Sequence, residues 1–579
     1  MSAVTMGEAP ADESATPQPS GEKRRRGALA LPIASVAAGT AAIGAHGALY
    51  GHWIIDDAAI TFAYARSFAD GLGPVVQAGA EPVEGFSNPT WTVLLTLAKW
   101  LGLFDSGTIF GIPDYVLFPK ALALLFCAGI LTACHLAASK VMRRPWLATL
   151  GVGAVLALTP SFVIWIFSGL ENSLYALIIV WQAVLLFRAV LDDRLLSARL
   201  ALAVGGLAAL AALTRPEGLI YAGVYPLVVL GRLNKQVLGS SIRHVLLSTA
   251  AFGVPVGAYF LWRHAEFGRW LSSPSIAKRQ GIPALEDLTR PGELIAYAGA
   301  PAALLAVVFI GMAVARPSPL RRGILTLLVP LGLAVIAYAV LEPDWMAQFR
   351  FATPIWVLGA LTSVLAAGAA FRNARFRGRI WLTAGLTAAM LPTTASFANA
   401  GSEFRHVPDI SACYVADRFG RVFNGYADVL GLREASLLIP DLGGSSLTSR
   451  LHLVDMAGLT NHRFADLVGD HDKIGQGNYV FETVKPTFIH SRQPWSSGNG
   501  LGFDPRLDRD YYPVHFDPFQ GAPNGDWVRK DAIPSQEKLA ELRAYAASTA
   551  LEVERGEGAW PRRACGDTLR PGQTVVGDG

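Results

Sequence analysis

Long apolar runs separated by short polar connections fill the chain from Gly27 to about residue 397. They fall near 27–50, 117–138, 146–167, 172–190, 198–213, 217–231, 245–262, 293–315, 322–341, 351–370 and 380–397. About 20 apolar residues cross a bilayer as a helix, and a helix satisfies its own backbone hydrogen bonds in hydrocarbon. The pattern therefore predicts about eleven helical spans. A further apolar stretch, 89–103, is short and holds Lys99, with Trp91 and Trp100 near its ends. It predicts a helix lying in the interface, not a span. Past residue 400 the long runs stop. Short apolar pieces at 435–440 and 451–455 predict strands, and 461–468 and 536–554 predict helices. The expected fold class is a polytopic α-helical membrane protein with a C-terminal extracytoplasmic α/β domain. Its expected parts are a disordered cytoplasmic tail (1–26), a transmembrane domain (27–399) with an external loop 51–116, and an outer domain (400–579).

Composition agrees with this pattern. The chain is 52% hydrophobic and 16% charged, against about 25% charged in soluble proteins. The formal net charge is only +4, so the location of the charge is the informative part. One set of connections carries Arg24–Arg26, Lys140, Arg143, Arg144, Arg194, Arg199, Arg232, Lys235, Arg243, Arg316, Arg321, Arg322, Arg372, Arg375, Arg377 and Arg379. The positive-inside rule places that set in the cytoplasm. It predicts a multi-pass plasma-membrane protein with a cytoplasmic N-terminus, an uncleaved first anchor and an extracytoplasmic C-terminal domain.

The opposite connections collect the unusual polar residues: Asp56-Asp57 with the loop that follows it, 168–172, 214–218, 263–292 and 344–350. Loop 263–292 holds Arg263, Arg269, Lys278, Arg279 and Arg290 against the charge bias, which suggests an anionic ligand. Carboxylates near hydrocarbon are costly unless solvated or paired. One of Asp56 and Asp57 can serve as a general base on a hydroxyl, or Asp57 can simply cap the helix-like run that follows.

Asp56-Asp57-Ala-Ala-Ile-Thr-Phe-Ala-Tyr-Ala-Arg66, with Glu84-Gly-Phe-Ser-Asn88 and Trp91, resembles the first external loop of GT-C-type glycosyltransferases. Ser168–Glu171, Thr214–Gly218, Pro274–Lys278, Asp344-Trp-Met346, Phe349-Arg350, Pro440–Gly444 and Leu453–Leu459 continue the resemblance in order. The nearest branch is the actinobacterial terminal arabinofuranosyltransferases of arabinogalactan and lipoarabinomannan. The resemblance implies a polyprenyl-phosphate sugar donor, a cell-envelope glycan or glycolipid acceptor, and transfer by single displacement. It makes Asp56 or Asp57 the base and Lys278 a ligand of the donor phosphate, with Arg279 and Arg350 sharing that role. Ser275 and Ile276 replace the Asn and Thr that many relatives carry before the lysine. Glu84, Asn88, Glu171, Arg215, Glu217, Asp344 and Trp345 are expected to contact sugar or acceptor. For four of them a structural role stays open: a helix cap for Glu171, an ion pair at a helix break for Arg215 and Glu217, and an interfacial anchor for Trp345. A mannosyltransferase using the same kind of donor, a lipid-sugar flippase and a non-catalytic scaffold are the competing readings.

Cys413 and Cys565, near the two ends of the outer domain, are expected to form a disulfide in an oxidising compartment. Cys127 and Cys134 share one face of a span and read as small buried apolar residues. The outer-domain histidines lack ligand spacing, so no metal is expected, and the lack of a phosphate-binding loop or dinucleotide fingerprint predicts no cofactor. No nucleic-acid module is recognisable.

Overall fold

The computed structural model describes residues 21–281, 283–516, 523–556 and 565–575. Most of the expected tail, residues 1–20, lies outside them, and from Gly21 the backbone is helical. Each of the eleven apolar runs forms helix: α1 (Gly21–Gly47), α4 (Asp114–Val141), α5 (Pro145–Leu158) with α6 (Pro160–Ile166), α7 (Asn172–Leu191), α8 (Ala198–Thr214), α9 (Val224–Leu230), α10 (Leu238–Phe267), α12 (Pro291–Ala298) with α13 (Ala300–Ala315), α14 (Pro319–Val340), α15 (Thr353–Asn373) and α16 (Phe376–His406). Among the described residues six helices are long and apolar enough to cross a membrane. Counting each bent pair as one broken span raises this to eight. The breaks are sharp, 83° between α5 and α6 and 107° between α12 and α13. Pro160 opens α6, and Gly299, at φ 85°, separates α12 from α13. The runs at 198–213 and 217–231 give shorter helices, and α16 is 31 residues long but less apolar. The chain is a multi-pass membrane protein.

Small residues let the helices approach. A Cβ on Gly153 of α5 would lie 2.9 Å from the Gly39 Cα of α1, the close crossing that glycine permits in membranes. Helix α7 packs against α4, α8 and α14, and α8 packs against α10.

Between the first two long helices the chain forms α2 (Asp56–Ala69) and α3 (Pro89–Trp100), then a hairpin of β1 (Thr108–Ile109) and β2 (Ile112–Pro113). Helix α3 has 12 residues, too few to span. It buries Trp91 and Leu95 and exposes Val93, Leu97 and Trp100, the two-faced pattern of a helix lying at a surface.

The C-terminal region contains a five-stranded sheet in the order β4-β3-β5-β7-β6. The strands are β3 (Ser436–Ile439), β4 (His452–Asp455), β5 (Phe488–Ser491), β6 (Tyr511–Phe516) and β7 (Gly525–Arg529). Strand β3 runs parallel to β4 and β5, while β7 pairs antiparallel with β5 and β6. Successive side chains alternate between faces. Leu438, Val454, Ile489 and Trp527 build a core on one face; Leu437, Ile439, Phe488 and Val528 join the main core on the other.

Cys413 and Cys565 form a disulfide with a Cα–Cα distance of 5.2 Å. Beside it the Tyr115 hydroxyl donates to the Gly566 carbonyl at 2.9 Å, so the bond holds the C-terminal segment against the start of α4. Cys127 and Cys134 are free and buried. Replacing Cys413 and Cys565 by serine should cost about 2–5 kcal/mol of stability. The measurement is the melting temperature of the purified protein: reductant should lower it in wild type and leave the double variant unchanged.

Candidate active site

Two adjacent carboxylates begin α2, and they face different surroundings. Asp56 is buried. Its Oδ1 accepts the Gly444 N–H at 2.7 Å and its Oδ2 accepts the Gly443 N–H at 3.0 Å. Its own N–H donates to the Ile410 carbonyl at 3.1 Å. Burial pushes the Asp56 carboxyl well above the usual carboxylate range, the Asp441 charge pushes the same way, and the two glycine N–H groups oppose them. A Cβ on Gly443 would overlap the Asp56 carbonyl oxygen, and one on Gly444 would overlap the Ala412 carbonyl oxygen. Two glycines are therefore what allows this junction to close. Asp56 ties α2 to the C-terminal domain and is absent from the neighbouring cavity.

Asp57 lines that cavity, together with Asn88, Glu171, Arg215, Lys278 and Arg350. The volume is about 100 Å³. These six residues come from five separate polar clusters of the sequence. The Asn88 side-chain amide donates to Glu171 Oε2 at 2.6 Å, and Arg215 Nη1 pairs with Glu171 Oε1 at 2.6 Å. Arg215 also pairs through Nε with Glu217 and lies over the Phe351 ring at 5.2 Å. Arg350 Nε sits 2.8 Å from Asp344 Oδ2, an ion pair off hydrogen-bonding alignment. By contrast, the Asp57 carboxylate and the Lys278 ammonium make no hydrogen bond or ion pair among the described residues, with each other or with any other group. One unpartnered anion and one unpartnered cation thus share the cavity wall.

The loop bearing Lys278 is held by groups outside the cavity. Lys278 follows the short helix α11 (Ser273–Ala277), whose Ser273 N–H donates to the Glu84 carbonyl at 3.1 Å. The Glu84 carboxylate is itself buried. It pairs with Arg263, and its Oε1 accepts the Tyr259 hydroxyl at 2.6 Å. Glu84 therefore joins the loop between α2 and α3 to α10, and it does not face the cavity. Arg279 also points elsewhere, into an exposed ion pair with Asp470 at 3.1 Å. Trp345 is 58% exposed and, like Glu217 and Asp344, does not line the cavity.

Four further contributors, Gly443, Gly444, Asp455 and Arg66, lie in stretches that carry the resemblance but are given no role by the sequence. Gly443 and Gly444 hold Asp56. Buried Asp455 accepts the Ala457 and Thr460 N–H groups at 2.8 Å each and so folds the turn that brings Leu459 to the cavity; burial pushes its carboxyl up to about 6. Arg66 binds Asp105 through two 2.7 Å contacts and donates to the Leu447 and Leu569 carbonyls at 3.0 and 2.6 Å, clamping α2 to the C-terminal domain. A lone Asp in a polar stretch, or an Arg on an amphipathic helix, carries no signal of such a partner. Among the described residues no group of three or more His, Cys, Asp and Glu side chains could hold a metal.

No protein-family model matches the sequence, and no curated protein does. Solved structures do match. The chain aligns over 88% of its length with the whole of ArnT from Cupriavidus metallidurans bound to undecaprenyl phosphate, at TM-score 0.52 and 13% identity. In fold the chain is similar to ArnT. It is similar, too, to the archaeal oligosaccharyltransferase AglB from Archaeoglobus fulgidus, in complex with an inhibitory peptide and a dolichol-phosphate. There the alignment covers 87% of this chain and 75% of that one, at TM-score 0.51 and 10% identity. At 10% and 13% identity the likeness is one of fold alone.

Proposed function

We propose that the chain is a membrane glycosyltransferase that moves a sugar, arabinofuranose, from a polyprenyl-phosphate donor to a cell-envelope glycan or glycolipid acceptor. The observation that carries this reading is the cavity shared by unpartnered Asp57 and Lys278, with Arg350 beside them. The fold likeness supports it, since ArnT was solved with undecaprenyl phosphate and AglB with a dolichol-phosphate. The choice of arabinofuranose rests on the ordered motif resemblance. The charge bias of the loops supports a site and a C-terminal domain on the extracytoplasmic side of the plasma membrane.

In this mechanism Asp57 takes the proton from an acceptor hydroxyl as that oxygen attacks the anomeric carbon. The bond between the anomeric carbon and the phosphate oxygen breaks in the same step, inverting the centre and releasing the lipid phosphate. Lys278 meets the phosphate as a point charge and Arg350 as a planar fork, stabilising the charge that develops on the leaving group. Glu171, Asn88 and Arg215 form a braced wall for the sugar. The cavity is smaller than the roughly 300–1,000 Å³ usual for small-molecule sites, so the donor widens it on entry.

Lys278→Ala should raise the donor KM by about 10–150-fold, the worth of one charged hydrogen bond, with a smaller change in acceptor KM. Initial rates at varied donor concentration check this. The decisive assay incubates purified protein with labelled polyprenyl-phosphate arabinose or polyprenyl-phosphate mannose and analyses the product linkage. Arabinose transfer is expected. Transfer of mannose alone would overturn the sugar assignment, and transfer of neither the enzymatic one.

A further inference from the structure

A second cavity, of about 600 Å³, lies between α9 and the start of α14. Its polar wall holds Arg232, Arg321 and Arg322, and its apolar wall holds Leu227, Leu325 and Val329. Helix α14 separates it from the candidate active site. The helix starts in this cavity at Pro319 and ends at Val340, four residues before Asp344. Its 22 residues span about 33 Å, close to the roughly 30 Å of a bilayer hydrocarbon core. The two cavities therefore sit at opposite membrane faces.

The three guanidiniums are under-compensated. Arg322 Nη1 pairs with Asp193 at 2.7 Å, both side chains being well exposed. Arg232 Nη2 reaches only the Arg322 backbone carbonyl, at 3.4 Å. Arg321 makes no ion pair among the described residues. One carboxylate thus faces three neighbouring cations, which repel one another unless an anion joins them. A guanidinium fork matches phosphate oxygens. The volume falls within the usual range for small-molecule sites. The apolar wall decides between a free phosphate and a lipid. Leu227 and Leu325 are each 43% exposed, and inorganic phosphate has no use for them, whereas the glycerol and first acyl carbons of a phospholipid do. Basic pockets between membrane helices bind anionic headgroups in this way.

We infer that this cavity is a binding site for one anionic phospholipid, with the phosphate on Arg232 and Arg321 and an acyl chain along α9 and α14. The test titrates the full-length protein, in a neutral detergent, with phosphatidylglycerol and with phosphatidylcholine, and reads bound lipid by native mass spectrometry. Phosphatidylglycerol should be retained at least about tenfold more tightly than phosphatidylcholine, the worth of one charge-assisted contact. R232Q/R321Q should bring the two lipids level while leaving the melting temperature unchanged. R321Q alone, at an exposed position, should weaken phosphatidylglycerol in the same direction, which keeps the test valid if the double variant folds poorly. Equal retention of phosphatidylglycerol by wild type and R321Q overturns the assignment, as does equal wild-type affinity for the two lipids. Displacement of phosphatidylglycerol by millimolar inorganic phosphate overturns the lipid in favour of the free ion.

Discussion

Replacing Asp57 by Asn should cut sugar transfer by about 10²–10⁴-fold, the usual worth of a positioned general base. Asn keeps the size of the side chain and removes only its capacity to take a proton. Because the Asp57 carboxylate makes no hydrogen bond or ion pair among the described residues, the substitution should leave the melting temperature unchanged. The loss should fall on kcat, with donor KM little altered, since the interaction removed is made in the transition state. Asp56→Asn should behave differently. Its side chain can present one acceptor oxygen where the carboxylate now accepts from both Gly443 and Gly444, leaving a buried N–H unpaired at a cost of about 1–3 kcal/mol. Stability and turnover should then fall together. Initial rates and melting curves on the two variants separate the roles. An Asp57→Asn enzyme with wild-type kcat would falsify the assignment of the base.

The helical architecture was legible because lipid imposes a simple rule: an apolar run must be helical to satisfy its backbone. All eleven runs are helical, and the short strands near Leu438 and Val454 followed from brief apolar pieces in an otherwise polar region. The breaks were harder to read. Residues 146–167 form one apolar run, yet Pro160 splits it by 83°; a proline inside a run signals a kink without setting its size. Loop polarity and the motif resemblance together marked Asp57, Asn88, Glu171, Arg215, Lys278 and Arg350, and they share one cavity. The same signal marked Glu84, Arg279 and Trp345, which lie elsewhere, because sequence polarity does not encode direction. Glu84 faces Arg263, 179 positions away. Asp56 and Asp57 are chemically identical neighbours, and only glycines 387 and 388 positions downstream decide which one is withdrawn from the cavity.

Gly443→Ala should test that long-range link, with an expected loss of about 10²-fold in turnover, the effect of a 1 Å misplacement of catalytic groups. The new methyl group would overlap the Asp56 carbonyl oxygen and crowd its carboxylate. The obstacle is backbone in the first turn of α2, so no side-chain rotation relieves it. The domain must move away, or the turn must shift. Either response displaces Asp57, which is covalently next to the clash, relative to Lys278 on its separately braced loop. Overpacking of this kind costs about 1–3 kcal/mol, so the melting temperature should fall by a few degrees while the protein remains folded. Donor KM should change much less than kcat, because Lys278 and Arg350 sit on other elements. If Gly443→Ala loses stability yet keeps wild-type kcat, the C-terminal domain braces the fold without setting the position of the base.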